Sequence, residues 1–344
     1  MPTYIHQHPV QLEGGAVLPQ LEIAYHTYGT FQPGKSKVIW VCHALTANSD
    51  VASWWPNLFG PNSFFDVPGY FIVCANVLGS CYGTTGPLSI NPETQAAYLH
   101  QFPDITIRDI VQAHELLRQH LGIEEIYLGI GGSLGGQQLL EWSILKPTLF
   151  LQVVAIATNA LHSPWGIAFN ETQRMAIRTD PTWASDDPQA GIDGMKVARA
   201  IALLSYRHYD TYQQTQQDEQ RNLDRLPKAV TYQWYQGEKL AQRFNAFSYY
   251  VLSKAMDSHD VGRGRASAAQ ALQQIEARTL IIGLHTDILF PADDQRFLFE
   301  HIPDARFELI YSAYGHDGFL TETEQLRDKI DRFLAHNQSV HLAS

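Results

Sequence analysis

Two kinds of patterning alternate along the chain. Short runs rich in β-branched and aromatic residues, bounded by Gly, Pro and Asn, predict strands at 21–28, 37–42, 70–75, 126–130, 151–156, 279–283 and 307–311. Several of these runs are apolar at every position, as strands covered on both faces are. Between them lie segments with helical spacing. Residues 106–121 put Ile107, Ile110, Val111, Leu117 and Leu121 on one stripe, with Thr106 and Asp109 at capping-box spacing and Gly122 as a stop. The last helix carries Leu326, Ile330, Phe333 and Leu334 on its buried stripe and is expected to be capped by Thr321 and Glu324. Strands alternating with helices predict an α/β chain: a mainly parallel sheet with helices on both faces.

The middle of the chain breaks that alternation. From 161 to 271 no convincing strand is visible, while 195–204 and 243–256 have helical spacing. A polar run at 213–225, "QQTQQDEQRNLDR", reads as an exposed loop or solvated helix. After 279 the strand–helix alternation resumes. The pattern predicts one α/β core, residues 1–160 and 272–344, interrupted by a helical insertion at 161–271.

Composition narrows the function. A formal charge of −11 argues against a nucleic-acid or anionic-membrane partner, because phosphate binding needs clustered Lys and Arg. The three cysteines, Cys42, Cys74 and Cys81, form no C-x-x-C pair and predict neither a disulfide framework nor a zinc site. No basic-then-apolar leader opens the sequence, and no apolar run reaches spanning length, so a cytoplasmic protein is expected. No H-E-x-x-H or carboxylate cluster points to a metal.

One stretch carries chemistry. In "YLGIGGSLGGQQLLEW", Ser133 stands between glycine pairs, after a strand pattern and before a helical one, and Gly131-x-Ser133-x-Gly135 matches G-x-S-x-G. A glycine-rich turn with a serine N-cap is the plain alternative. A strand-to-helix elbow instead needs small residues two before and two after its serine so that the chain can pass, and it presents the hydroxyl as a nucleophile. A serine nucleophile needs a base, and the base a carboxylate to orient it, here expected later in the chain as acid then histidine after strand ends. Asp287 follows the 279–283 run and His316 follows the 307–311 run. Asp317, Asp293 and Asp294 are rival carboxylates, and His285 a rival base. Backbone N–H groups of Leu134, next to the nucleophile, and of Leu45, after the 37–42 run, are the expected oxyanion donors.

The segments "CHALTANS", "NVLGSCYGTTGPLSINP", "FPDITIRDIVQA", "IGGSLGGQQLLEW", "IAFNETQRMAI", "YQGEKLAQRFNAFSYYVLSKAMD" and "GHDGFL" together resemble the homoserine O-acetyltransferase family of α/β-hydrolase-fold enzymes. The resemblance runs from about residue 39 to residue 320. It implies ping-pong acyl transfer from acetyl-CoA, a substrate rather than a cofactor, through Ser133 to the hydroxyl of L-homoserine, in methionine biosynthesis. It also implies that Arg174 holds the acceptor's carboxylate, that Asp317 holds its amino group, and that the insertion is a lid contributing to a homodimer. Position 134 is Leu where the family pattern has Met, a change that leaves the backbone N–H in place. Relatives using succinyl-CoA or L-serine, an esterase or thioesterase with the same triad, and a non-catalytic scaffold are the competing readings.

Overall fold

The run at 37–42 shows how the sheet is buried. In the computed structural model, which describes residues 1–220 and 223–335, Val38, Trp40 and Cys42 enter one apolar cluster while Ile39 and Val41 enter another. Successive strand side chains point to opposite faces, so an apolar residue at every position means helices cover both.

Eight strands form the sheet: β1 (Thr3–His6), β2 (Leu21–Tyr28), β3 (Lys37–Cys42), β4 (Tyr70–Ala75), β5 (Leu128–Gly132), β6 (Gln152–Ile156), β7 (Arg278–Leu284) and β8 (Ala305–Ile310). Their order is β1-β2-β4-β3-β5-β6-β7-β8, with the pairs from β4 to β8 parallel and those of β2 with β1 and β4 antiparallel. Trp40 meets Trp142 edge-on on one face (5.1 Å between ring centroids); Trp55, Phe59 and Phe333 fill the other.

The predicted elements are present, with differences at their ends. Helix α1 (Ile107–His120) opens on the expected capping box: Thr106 Oγ1 accepts from the Asp109 N–H and Asp109 Oδ2 accepts from the Thr106 N–H. The strand expected at 126–130 lies two residues further on, because Ile126 makes only an isolated bridge to Phe150 and the pairing continues through Gly131 and Gly132. Thr321 does not cap the final helix. It closes a short turn of helix, Gly318–Thr321, with its hydroxyl donating to the Asp317 carbonyl, and the final helix starts at Thr323. Strand β1, with its alternating exposed and half-buried residues, had no sequence forecast.

Between β6 and β7 the described residues form helices and no strand. The main ones are α2 (Pro164–Arg178), α3 (Ile192–Tyr206), α4 (Tyr209–Gln216), α5 (Lys228–Ala241) and α6 (Ala246–Asp257). The polar run at 213–225 begins in α4 and falls in part outside the described residues. No described helix is long and apolar enough to cross a membrane.

Candidate active site

Ser133 sits between β5 and the helix Leu134–Leu145 with φ 57° and ψ −126°, a backbone conformation that a side chain adopts only under strain. Two groups of bonds hold it there. Its N–H donates to the Ile156 carbonyl at 2.9 Å, and its own carbonyl accepts from the Gly136 N–H at 2.9 Å and the Thr158 hydroxyl at 3.0 Å. The flanking glycines are a matter of space. A Cβ on Gly135 would stand 2.1 Å from the Cys42 carbonyl oxygen, and one on Gly131 would stand 2.7 Å from the Gly135 backbone. The serine is therefore the strained apex of an elbow, above a helix N-terminus whose N–H groups favour negative charge.

Asp287 and His316 come from the loops after β7 and β8. His316 Nδ1 lies 2.6 Å from Asp287 Oδ2, with both side chains buried. Asp287 Oδ1 accepts from the Leu289 and Phe290 N–H groups at 2.8 and 2.9 Å, so the acid is fixed before it orients the imidazole. The Phe290 ring also stacks on the His316 ring at 5.0 Å. Phe319 connects the pair to the elbow: its ring is 5.3 Å from that of His316 and would lie 2.6 Å from a Cβ on Gly132.

The rival residues have other occupations. Asp293 pairs with Arg296 on an exposed helix turn. Asp294 meets Asn159 at 3.3 Å, with its carboxyl pushed above the usual range by burial. His285 accepts from the Ser312 N–H at 3.1 Å, a bond that supports the loop leading to His316. Asp317 turns to Arg207, whose Nε is 2.7 Å away.

Among the described residues neither the Leu45 nor the Leu134 N–H has a protein acceptor. Gln138, unnoticed in the sequence, ties their two loops together: its side-chain amide donates to the Leu134 carbonyl at 3.0 Å and to the His43 carbonyl at 3.2 Å. His114 Nε2 meets the other end of that amide at 2.8 Å. His43 accepts from the Val77 N–H through Nε2 at 3.0 Å and has Nδ1 2.8 Å from the Ala44 carbonyl, so it is a neutral loop brace. Burial depresses its pKa to about 4.

Arg174, expected at the acceptor's carboxylate, already has partners within the protein. Its guanidinium is buried and engaged on every side, by Glu171 at 2.9 Å, Ser253 at 3.2 Å and Asp257 at 2.5 Å. Asp257 also accepts from Asn170 at 2.8 Å, and Asn170 reaches His162, which lies 3.5 Å from Gln137 on the elbow helix. Arg174 thus belongs to a buried polar chain joining insertion and core, with two carboxylates already neutralising it. Arg199 has no such commitment among the described residues. It lies 5.4 Å from the Tyr206 ring, that ring is 5.8 Å from His316, and no described carboxylate is within ion-pair distance of it. Spacing conceals this, because both arginines fall on helices of the insertion and only packing decides which one is taken up by carboxylates.

Among the described residues no group of three His, Cys, Asp or Glu side chains is arranged to hold a metal. A cavity of about 930 Å³ beside Lys37, Glu124 and Tyr127 shares none of these site residues.

A parallel sheet that delivers an elbow serine at one strand end, and an acid and a histidine after its last two strands, defines the α/β-hydrolase class. The α/β hydrolase fold family matches residues 37–323. The homoserine O-acetyltransferase of Cyclobacterium marinum is 48% identical over 331 residues, covering 96% of this chain and 94% of that one. This chain belongs to the homoserine O-acetyltransferase family. The crystal structure of homoserine O-acetyltransferase from Bacillus anthracis superposes with a TM-score of 0.88 at 24% identity, over 97% of this chain and 96% of that one. Esterase E22 superposes as well, with a TM-score of 0.88 at 22% identity over 97% and 99%. Backbone likeness therefore does not separate transferase from hydrolase.

Proposed function

We propose that this enzyme moves an acetyl group from acetyl-CoA to the hydroxyl of L-homoserine through an acetyl-Ser133 intermediate. The observation that carries the reading is the buried 2.6 Å contact between His316 and Asp287, which Phe319 connects to the elbow that holds Ser133 at φ 57°. Ser133 Oγ attacks the thioester carbon and gives its proton to His316 Nε2. The tetrahedral oxyanion rests on the Leu45 and Leu134 N–H groups, the C–S bond breaks, and the imidazolium protonates the departing thiolate. In the second half the homoserine hydroxyl loses its proton to His316 and attacks the acyl ester. The ester C–O bond then breaks, and the same proton returns to Ser133.

The acceptor's ammonium is assigned to Asp317, and its carboxylate to Arg199 in preference to Arg174. A planar guanidinium free of other carboxylates can take a carboxylate bidentately, whereas one already shared by Glu171 and Asp257 would have to abandon them. The helical insertion is read as a lid that keeps water from the acyl-enzyme. Exposed Val197, Leu204, Trp234 and Tyr235 on its helices support a homodimer built through it. The reaction needs no metal or cofactor and fits a cytoplasmic enzyme of methionine biosynthesis.

Thiol release from acetyl-CoA and succinyl-CoA, each with L-homoserine, L-serine or no acceptor, tests the reading. Release that requires homoserine and prefers acetyl-CoA supports it. A preference for succinyl-CoA or serine keeps the mechanism and changes the substrate, and equal release without acceptor makes the protein a hydrolase.

A further inference from the structure

The carboxylate assigned to the acceptor's ammonium already has a cation beside it. Arg207 ends α3, where the chain leaves the helix in an extended conformation with φ −111° and ψ 144°. The backbone at this point is pressed against the loop that carries His316 and Asp317. Gly315 is left-handed at φ +61°, and a Cβ there would stand 2.9 Å from the His208 nitrogen and 3.0 Å from the Tyr206 carbonyl oxygen. The Thr211 hydroxyl donates to the Ala313 carbonyl from the same side. Arg207 therefore reaches Asp317 from a backbone that the fold holds in place.

The pair itself is loosely made. Arg207 Nε is 2.7 Å from Asp317 Oδ2, yet its N–H is not directed at that oxygen, and the bidentate geometry that makes guanidinium–carboxylate pairs strong is absent. From this same position the guanidinium also lies 5.8 Å from the Tyr314 ring, a face that can carry a cation. Two cations on one mostly buried carboxylate repel each other more than they would in water.

We propose that Arg207 is the resident cation of the acceptor-ammonium subsite, held on Asp317 when no amino acid is bound and displaced towards Tyr314 when the acceptor's ammonium arrives. This rests on the assignment of Asp317 to the ammonium. Arg207 then sets acceptor affinity by competition: every binding event must break the ion pair, so the enzyme selects for an acceptor whose own cation can replace it. An acceptor lacking the amino group gains nothing from Asp317 and leaves Arg207 where it is.

The test is the acceptor KM of the full-length enzyme with Arg207→Gln, Arg207→Met, Arg207→Lys and Asp317→Asn. Breaking a partly exposed ion pair is worth about a factor of five, so the KM for L-homoserine falls about fivefold in the two neutral variants. The first-step rate of thiol release stays unchanged in them, and the Lys variant keeps the wild-type KM. The KM for 4-hydroxybutanoate, which lacks the ammonium, does not move. A structural role alone would raise KM or lower the first-step rate. If Asp317→Asn raises the homoserine KM while the neutral Arg207 variants leave it unchanged or raise it, the displacement idea is overturned and the ammonium assignment stands. If Asp317→Asn leaves the homoserine KM unchanged, both are overturned.

Discussion

Gly135→Ala is the sharpest perturbation of the elbow. Gly135 is the second residue of a helix, and a Gly-to-Ala change inside a helix ordinarily stabilises by up to about 1 kcal/mol. Here the added Cβ would meet the Cys42 carbonyl oxygen at 2.1 Å, far inside van der Waals contact, and the obstacle is backbone rather than a side chain that can swing away. Relief requires the helix to retreat from the end of β3. Overpacking of this kind costs about 3 kcal/mol. With an unfolding entropy of about 2.1 cal/mol/K per residue over 344 residues, that lowers the melting temperature by about 4 °C. The same retreat moves the Leu134 N–H, so turnover falls about 100-fold or more, the scale of losing one oxyanion donor. Calorimetry and thiol-release kinetics on the same preparation check both parts. A melting temperature at or above wild type, with turnover kept, would refute the steric account of the elbow.

Arg174→Ala leaves Asp257 half-stranded in the insertion and lowers stability by about 3 kcal/mol in urea denaturation. Arg199→Ala instead raises the homoserine KM about tenfold or more with the melting temperature nearly unchanged, and the opposite pattern would return the carboxylate to Arg174. His43, His114 and His162, with pKa values lowered to about 4, and His259, lowered to about 3, are all kept neutral by burial. Their unfolded forms bind a proton below the ordinary value of 6.5 that the folded forms refuse, so stability is full above that value. It declines as pH falls towards 4, by an amount on the order of 1–3 kcal/mol per group. A melting temperature that stays flat between pH 7 and pH 5 would contradict this.

The site was legible where chemistry is written into neighbouring residues. G-x-S-x-G is local, and its spacing follows from the approach of the Cys42 carbonyl to Gly135, so the motif and the clash are one constraint. Asp287 and His316 were legible because each follows an apolar strand. What spacing could not reveal was partnership across the fold. The partner of Arg174, Asp257, lies 83 residues away in sequence, and Gln138 reaches the His43 carbonyl 95 residues away. Strand β1 escaped notice because a short edge strand with one half-exposed face has little apolar signal. The β5 boundary moved because glycines lower strand propensity, although here the elbow requires them at the strand end.

The mechanism requires a covalent acyl-serine. Intact-protein mass spectrometry after mixing with acetyl-CoA and no acceptor, followed by peptide mapping, reads it directly. One added acetyl group is expected on the peptide containing Ser133, discharged on adding L-homoserine, and absent in Ser133→Ala, whose turnover falls by about four orders of magnitude. Acetylation elsewhere, or a Ser133→Ala enzyme that still turns over, would contradict it.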